Sequence, residues 1–189
     1  MGANINDVAA FVLRECGRMS TMKLQKLTYY AQSWTLVRLG RQLFADDFQA
    51  WVEGPVCPVV YAHHRGQFHV SAWPTGSADA LSDEEQDCVR RVLRAYSSKS
   101  GRWLSDLTHR EAPWVEARAG LAPDDRSRRP ITKDAMKKYY AGADSMEARI
   151  VKGSANPVLD FLDTMNDDEA ALVETMVERD LLDPIDGNE

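Results

Sequence analysis

The side chains here most able to make bonds or hold a metal are four histidines and three cysteines. His63, His64 and His69 lie close together, a few residues after Cys57, a grouping that invites a zinc site. The spacing argues against one: adjacent histidines on a helix point about 100° apart, and no second ligand pair at finger spacing follows. The cluster reads as the polar end of a helix, and no metal is expected. His109, between Asp106 and Trp114, would need a nucleophile or an acid set against it to act as a general base, and none can be identified. It reads as a hydrogen-bonded structural link. Cys16, Cys57 and Cys88 are odd in number and far apart, each at a position suited to a core, which describes buried, inert thiols in a reducing compartment. Gly54-Pro55 marks a turn with no lysine placed to hold a phosphate. With no nucleophile paired to a base, a hydrolase using His63, His64 or His109 ranks last, and neither enzymatic activity nor a cofactor is expected.

The elements that must carry these residues are mostly helices. Ile5, Val8, Ala9, Val12 and Cys16 form one stripe, a first helix that Gly17 ends. A second starts near Met22, with Leu24, Leu27, Ala31 and Trp34 at helical steps and Gly40 as its stop. Its other face carries Gln25, Tyr29, Gln32 and Ser33, polar tips on partly apolar bodies. Residues 42–56 read as a structured connection that includes a short strand, and Pro58 opens the next helix. Ser82 and Glu85 form a capping box for a helix to about Ser97, with Val89, Val92, Leu93 and Tyr96 inward and Arg90, Arg91 and Arg94 outward. Thr108 and Glu111 suggest a second box, followed by a short helix from Pro113. Residues 124–130 read as an exposed loop before Thr132 caps a helix through Met136 and Tyr140. The expected fold is mainly α, a compact single-domain helical bundle with at most a short β element around residues 42–56, plus C-terminal helices.

Several short motifs occur in an order that resembles a known family. They are Lys23-Leu24-Gln25-Lys26-Leu27 with Tyr29-Tyr30-Ala31-Gln32, then Leu43-Phe44, Trp51, Glu53-Gly54-Pro55 and Val59-Val60-Tyr61. Leu104 to His109 and Pro113-Trp114 extend the likeness. Together they resemble the Panacea antitoxin domain, a phage-associated family that includes the SocA-like antitoxins. The resemblance implies a protein that neutralises a cognate protein toxin by direct binding. The SocA-like branch further implies a proteolytic adaptor that delivers its toxin to the ClpXP protease, with the ClpX unfoldase as a second partner. The contact surface is expected on the second helix and the following turn, at Gln25, Tyr29, Gln32, Trp51, Glu53, Gly54, Pro55 and Tyr61, since tyrosine and tryptophan anchors supply much interface energy. For Trp51, as for Trp34, a core position fits equally well.

The length suits one well-buried core with a terminal extension. Residues 1–143 are assigned to the Panacea-like domain, 144–155 to a linker and 156–189 to an acidic helical extension. The formal net charge is −6, and residues 156–189 hold 11 acidic side chains against 1 basic. The remainder is mildly positive, a polarity that favours association with something basic or with the body itself. Val158, Phe161, Leu162 and Met165 give the extension an apolar stripe, to be buried on the body or in a partner. No signal-like or membrane-spanning stretch is evident, so a cytoplasmic location is expected and no membrane partner. The alternative is a DNA-binding autorepressor of a toxin–antitoxin operon, using the basic Arg126 to Lys138 stretch. Nucleic acid ranks behind a protein partner because the total charge is negative and no recognition helix stands out.

Overall fold

The computed structural model describes residues 2–142, so the expected linker and acidic extension lie outside the described residues. Seven α-helices and five short strands follow in order: α1 Ile5–Cys16, β1 Met19–Ser20, α2 Thr21–Arg38, β2 Phe48–Trp51, β3 Gly54–Val56, α3 Pro58–His64, β4 His69–Val70, α4 Asp83–Tyr96, α5 Gly101–Thr108, α6 Ala112–Ala117, β5 Pro130–Ile131 and α7 Lys133–Ala141. The fold is mainly α, as expected. Helix starts follow local chemistry. Asn4 and Ser82 close capping boxes on α1 and α4, Ser20, Ser100 and Thr132 cap α2, α5 and α7, and prolines open α3 and α6.

The organising element is α2, which α1, α4, α5 and α7 all pack against. From Thr21 to Leu36 every residue except Lys23 is buried. This corrects the expectation of one core face and one outward face. The polar residues opposite the Leu24–Leu27–Trp34 stripe are interior too: Gln25 and Gln32 bond to backbone far away in sequence, Ser33 donates back to the Tyr29 carbonyl one turn earlier, and the Tyr29 ring packs edge-on against Phe48. Aromatic rings fill the space around it. Tyr30 stacks on Tyr96 with centroids 4.3 Å apart, and Tyr140 meets Trp34 edge-on at 5.4 Å. Each such contact adds about 0.5–1.5 kcal/mol to the area buried.

The β structure reaches beyond the 42–56 window. β2 is the centre of a three-stranded antiparallel sheet, with β3 pairing Ala50 to Pro55 on one side and β5 pairing Phe48 to Ile131 on the other. A second ladder joins Met19 to Val70. The stretch read as a loop up to Pro130 is therefore tied to the sheet at its end, and the Ala50 amide bonds to the Arg129 carbonyl at 2.9 Å.

The second capping box does not form. Thr108 belongs to α5 and its hydroxyl donates back to the Ser105 carbonyl at 2.6 Å. Glu111 is the cap residue of α6 but makes no side-chain cap bond, because its carboxyl is buried beneath the tyrosines of α2 and α7. Tyr30 and Tyr140 both donate to its Oε2, at 3.2 and 2.5 Å.

Candidate functional site

The family-like motifs meet one another inside the fold. From α2, Gln25 accepts a hydrogen bond from the Cys57 amide at 2.9 Å and donates to the Cys57 carbonyl at 3.3 Å. One residue on, the Lys26 ammonium donates to the Pro55 carbonyl at 3.2 Å although the residue is only 1% exposed. Two turns along the same helix face, Gln32 accepts from the Leu43 amide and donates to the Phe44 carbonyl, both at 2.8 Å. The two glutamines fasten the two ends of the segment between α2 and α3. Gly54 has φ of +96°, and a Cβ there would lie 2.7 Å from Thr108 Oγ1 and 3.0 Å from Lys26 Nζ, so glycine alone fits this crossing. Glu53 is held from α5, its carboxylate by Arg102 at 2.9 Å and its carbonyl by the Ser105 hydroxyl at 2.8 Å.

Of the eight residues expected at a contact surface, Gln25, Trp51, Glu53 and Tyr61 line one cleft of about 720 Å³. Gly54 and Pro55 are buried in the hairpin beside it. Tyr29 and Gln32 are wholly buried elsewhere along α2 and do not reach the cleft, because their side chains are used within the core. Tyr29 is packed edge-on against Phe48 and Tyr30. The accessible part of the expected surface is therefore Trp51, Glu53 and Tyr61, all partly exposed.

Trp51 and Tyr61 meet edge to face with centroids 4.9 Å apart. Trp51 is aimed by two bonds: its indole N–H donates to Gln49 at 2.8 Å, and its carbonyl accepts from the Trp114 indole at 2.9 Å. Across the cleft stand Arg126 and Arg128, with Arg65 just after α3, all exposed. Sequence reasoning did not join these three to the site, because their nearness to Trp51 depends on the β2–β5 pairing. Their loop is pinned from below by Arg118, a buried side chain that donates to the carbonyls of Ala122, Pro123 and Asp125 at 2.8–3.1 Å. Arg118 also reaches the Ala50 carbonyl at 3.1 Å, so loop and sheet are fixed together.

The histidines do not assemble a metal or catalytic centre. His64 is buried on the cleft wall and contacts Gln25 through Nε2 at 3.1 Å; burial lowers its pKa to about 4. A neutral ring accepting from the Gln25 amide N–H fits that geometry. His63 instead faces Trp73. His109 stacks on Trp114 at 4.2 Å, and its pKa is also lowered to about 4, first by burial and then by the positive charge of Lys26. Among the described residues no three His, Cys, Asp or Glu side chains group as metal ligands. Burial raises the pKa of all three cysteine thiols, which disfavours the nucleophilic thiolate. No described helix is long and apolar enough to cross a membrane. What the cleft offers is a partly exposed aromatic pair near three exposed arginines and the carboxylate of Asp124.

Residues 24–115, from α2 into α6, match the family described as antitoxin SocA-like, Panacea domain, and this part of the chain is a Panacea domain of that kind. A 43-residue segment is 51% identical to Antitoxin SocA of Caulobacter vibrioides (strain NA1000 / CB15N), a match covering 23% of this chain and 23% of that protein. The matched part thus spans less than a quarter of the curated relative. No solved structure matches the chain.

Proposed function

We propose that this protein is an antitoxin that binds and neutralises a cognate protein toxin through the cleft between the β2–β3 turn and the Arg126–Arg128 loop. The observation that carries the reading is the Trp51–Tyr61 pair, partly exposed within the Panacea stretch and flanked by Arg65, Arg126 and Arg128. Aromatic and arginine side chains are the residue types that most often dominate interface energy. Gln25, Lys26, Gln32 and Gly54 serve the same end indirectly, by fixing the backbone that presents Trp51 and Tyr61. The chain also acts as a proteolytic adaptor that brings the bound toxin to ClpXP. What motivates that second role is the resemblance of the Lys23–Gln32 and Glu53–Tyr61 motifs to the SocA-like branch.

The test is co-expression with the product of the neighbouring open reading frame. Growth arrest by that product should be relieved by this chain, and the two proteins should co-purify. The toxin's half-life should shorten when the chain is present, and only in cells that contain ClpX. Arrest unrelieved by well-expressed chain would refute neutralisation. Relief with an unchanged toxin half-life would refute delivery and leave direct inhibition.

A further inference from the structure

We propose that the cleft has a second, internal occupant: the acidic segment 156–189 of the same chain docks there in the free protein and is displaced by the toxin. The proposal concerns regulation of the site assigned above and rests on that assignment. Two properties of the molecule point to it. First, the charges are divided between the two parts of the chain. Residues 1–142 carry 20 basic and 16 acidic side chains, while residues 156–189 carry 11 acidic and 1 basic. Within the first part, the cleft gathers Arg65, Arg126 and Arg128 at its rim against the carboxylate of Asp124, and its Glu53 carboxylate is paired with Arg102, so the rim remains net positive. Such a rim attracts a polyanionic segment and repels a basic one.

Second, the apolar chemistry matches. Phe161, Leu162 and Met165 are interleaved with Asp160, Asp163, Asp167 and Asp168, so one short stretch offers both the anchors for Trp51 and Tyr61 and the charges for the arginines. The tether is long enough. The 13 residues 143–155 span up to about 45 Å when extended, and a folded body of this size has a radius of gyration of about 14 Å. A tethered segment acts at an effective concentration of order 1 mM. An intrinsic Kd near 0.1 mM would therefore keep the cleft about nine-tenths closed and weaken toxin binding about tenfold. The toxin must present the same combination of carboxylates and apolar side chains, and its arrival releases the acidic segment.

The test uses the full-length chain. In an Arg126→Lys variant, zero-length carbodiimide coupling followed by mass spectrometry should join position 126 to carboxylates between Asp160 and Glu169 within the monomer, and about 0.5 M salt should suppress the link. Links found only in a dimer would mean that a second copy supplies the segment, and no link to that segment would refute docking; either result overturns the proposal. In the second arm, replacing Asp160, Asp163, Asp167 and Asp168 together by Asn should tighten binding of the neighbouring frame's product about tenfold. Unchanged or weaker binding would overturn the competition. The two readings fail separately. Coupling present with toxin affinity insensitive to Tyr61→Ala would keep the docking and remove the cleft as toxin site; absent coupling with affinity lost in Tyr61→Ala would do the reverse.

Discussion

The Gln25 carboxamide holds both backbone groups of Cys57, accepting from its N–H at 2.9 Å and donating to its carbonyl at 3.3 Å, where neither residue is more than 2% exposed. A single side chain on the central helix thus sets where the chain turns from β3 into α3. That turn places Tyr61 beside Trp51, so the shape of the cleft depends on a bond made in the core.

Removing this clamp should act on stability before it acts on binding. Gln25→Ala leaves the buried Cys57 amide without its partner, while the Cys57 carbonyl keeps its bond from the Tyr61 amide, and should lower unfolding free energy by about 1–3 kcal/mol. Gln25→Glu should not restore it, since a carboxylate can accept from the Cys57 amide but repels its carbonyl. Urea titrations followed by circular dichroism would check both; a Glu variant as stable as wild type would contradict this account of the clamp.

The Glu111 carboxyl receives two buried hydroxyls, from Tyr140 at 2.5 Å and Tyr30 at 3.2 Å. Tyr140→Phe should cost about 1.5–2 kcal/mol and Tyr30→Phe about 1 kcal/mol. Because both bonds end on one oxygen, their effects should be non-additive in a double-mutant cycle.

Gly54 sits where φ is +96° and a Cβ would press on Thr108 and Lys26. Gly54→Ala should destabilise by about 2 kcal/mol or more. Combining it with Thr108→Ser, which keeps the hydroxyl, should give no relief, since the nearest atom is the hydroxyl oxygen; the same urea titration reads the difference.

His64 and His109 both have pKa values lowered to about 4 in the fold, chiefly by burial. The ordinary histidine value is about 6.5. Below it the unfolded chain takes up protons that the folded chain refuses. The stability present above pH 6.5 should therefore fall as pH drops from 6.5 toward 4, at up to about 2.7 kcal/mol per pH unit if both rings contribute fully. His64→Gln should remove about half of that slope. A stability flat across this window would contradict neutral burial of these rings.

What could be read from the sequence was local. Ile5–Cys16, the Ser82 box, and the helices opened by Pro58 and capped by Thr132 depend on periodicity, caps and prolines a few residues apart. Helix α2 was harder, because its polar residues look like an outward face until their partners are known, and Gln32 finds Leu43 while Gln25 finds Cys57. β5 is two residues long and exists only against Phe48 and Gln49, some eighty residues earlier. The same long-range pairing brings Arg126 and Arg128 to Trp51, so half of the cleft was invisible to local rules. Thr108 and Glu111 had the spacing of a capping box, but the buried tyrosines held the carboxyl instead.

The central claim, that the Trp51–Tyr61 cleft grips the toxin, is tested most directly by calorimetric titration of the neighbouring frame's product into full-length wild type, Tyr61→Ala, and Arg94→Glu on the exposed face of α4. Tyr61→Ala should weaken binding at least about 30-fold, equivalent to about 2 kcal/mol, with its unfolding transition preserved, while Arg94→Glu should leave affinity unchanged. A folded Tyr61→Ala protein that binds the toxin as tightly as wild type would contradict the account.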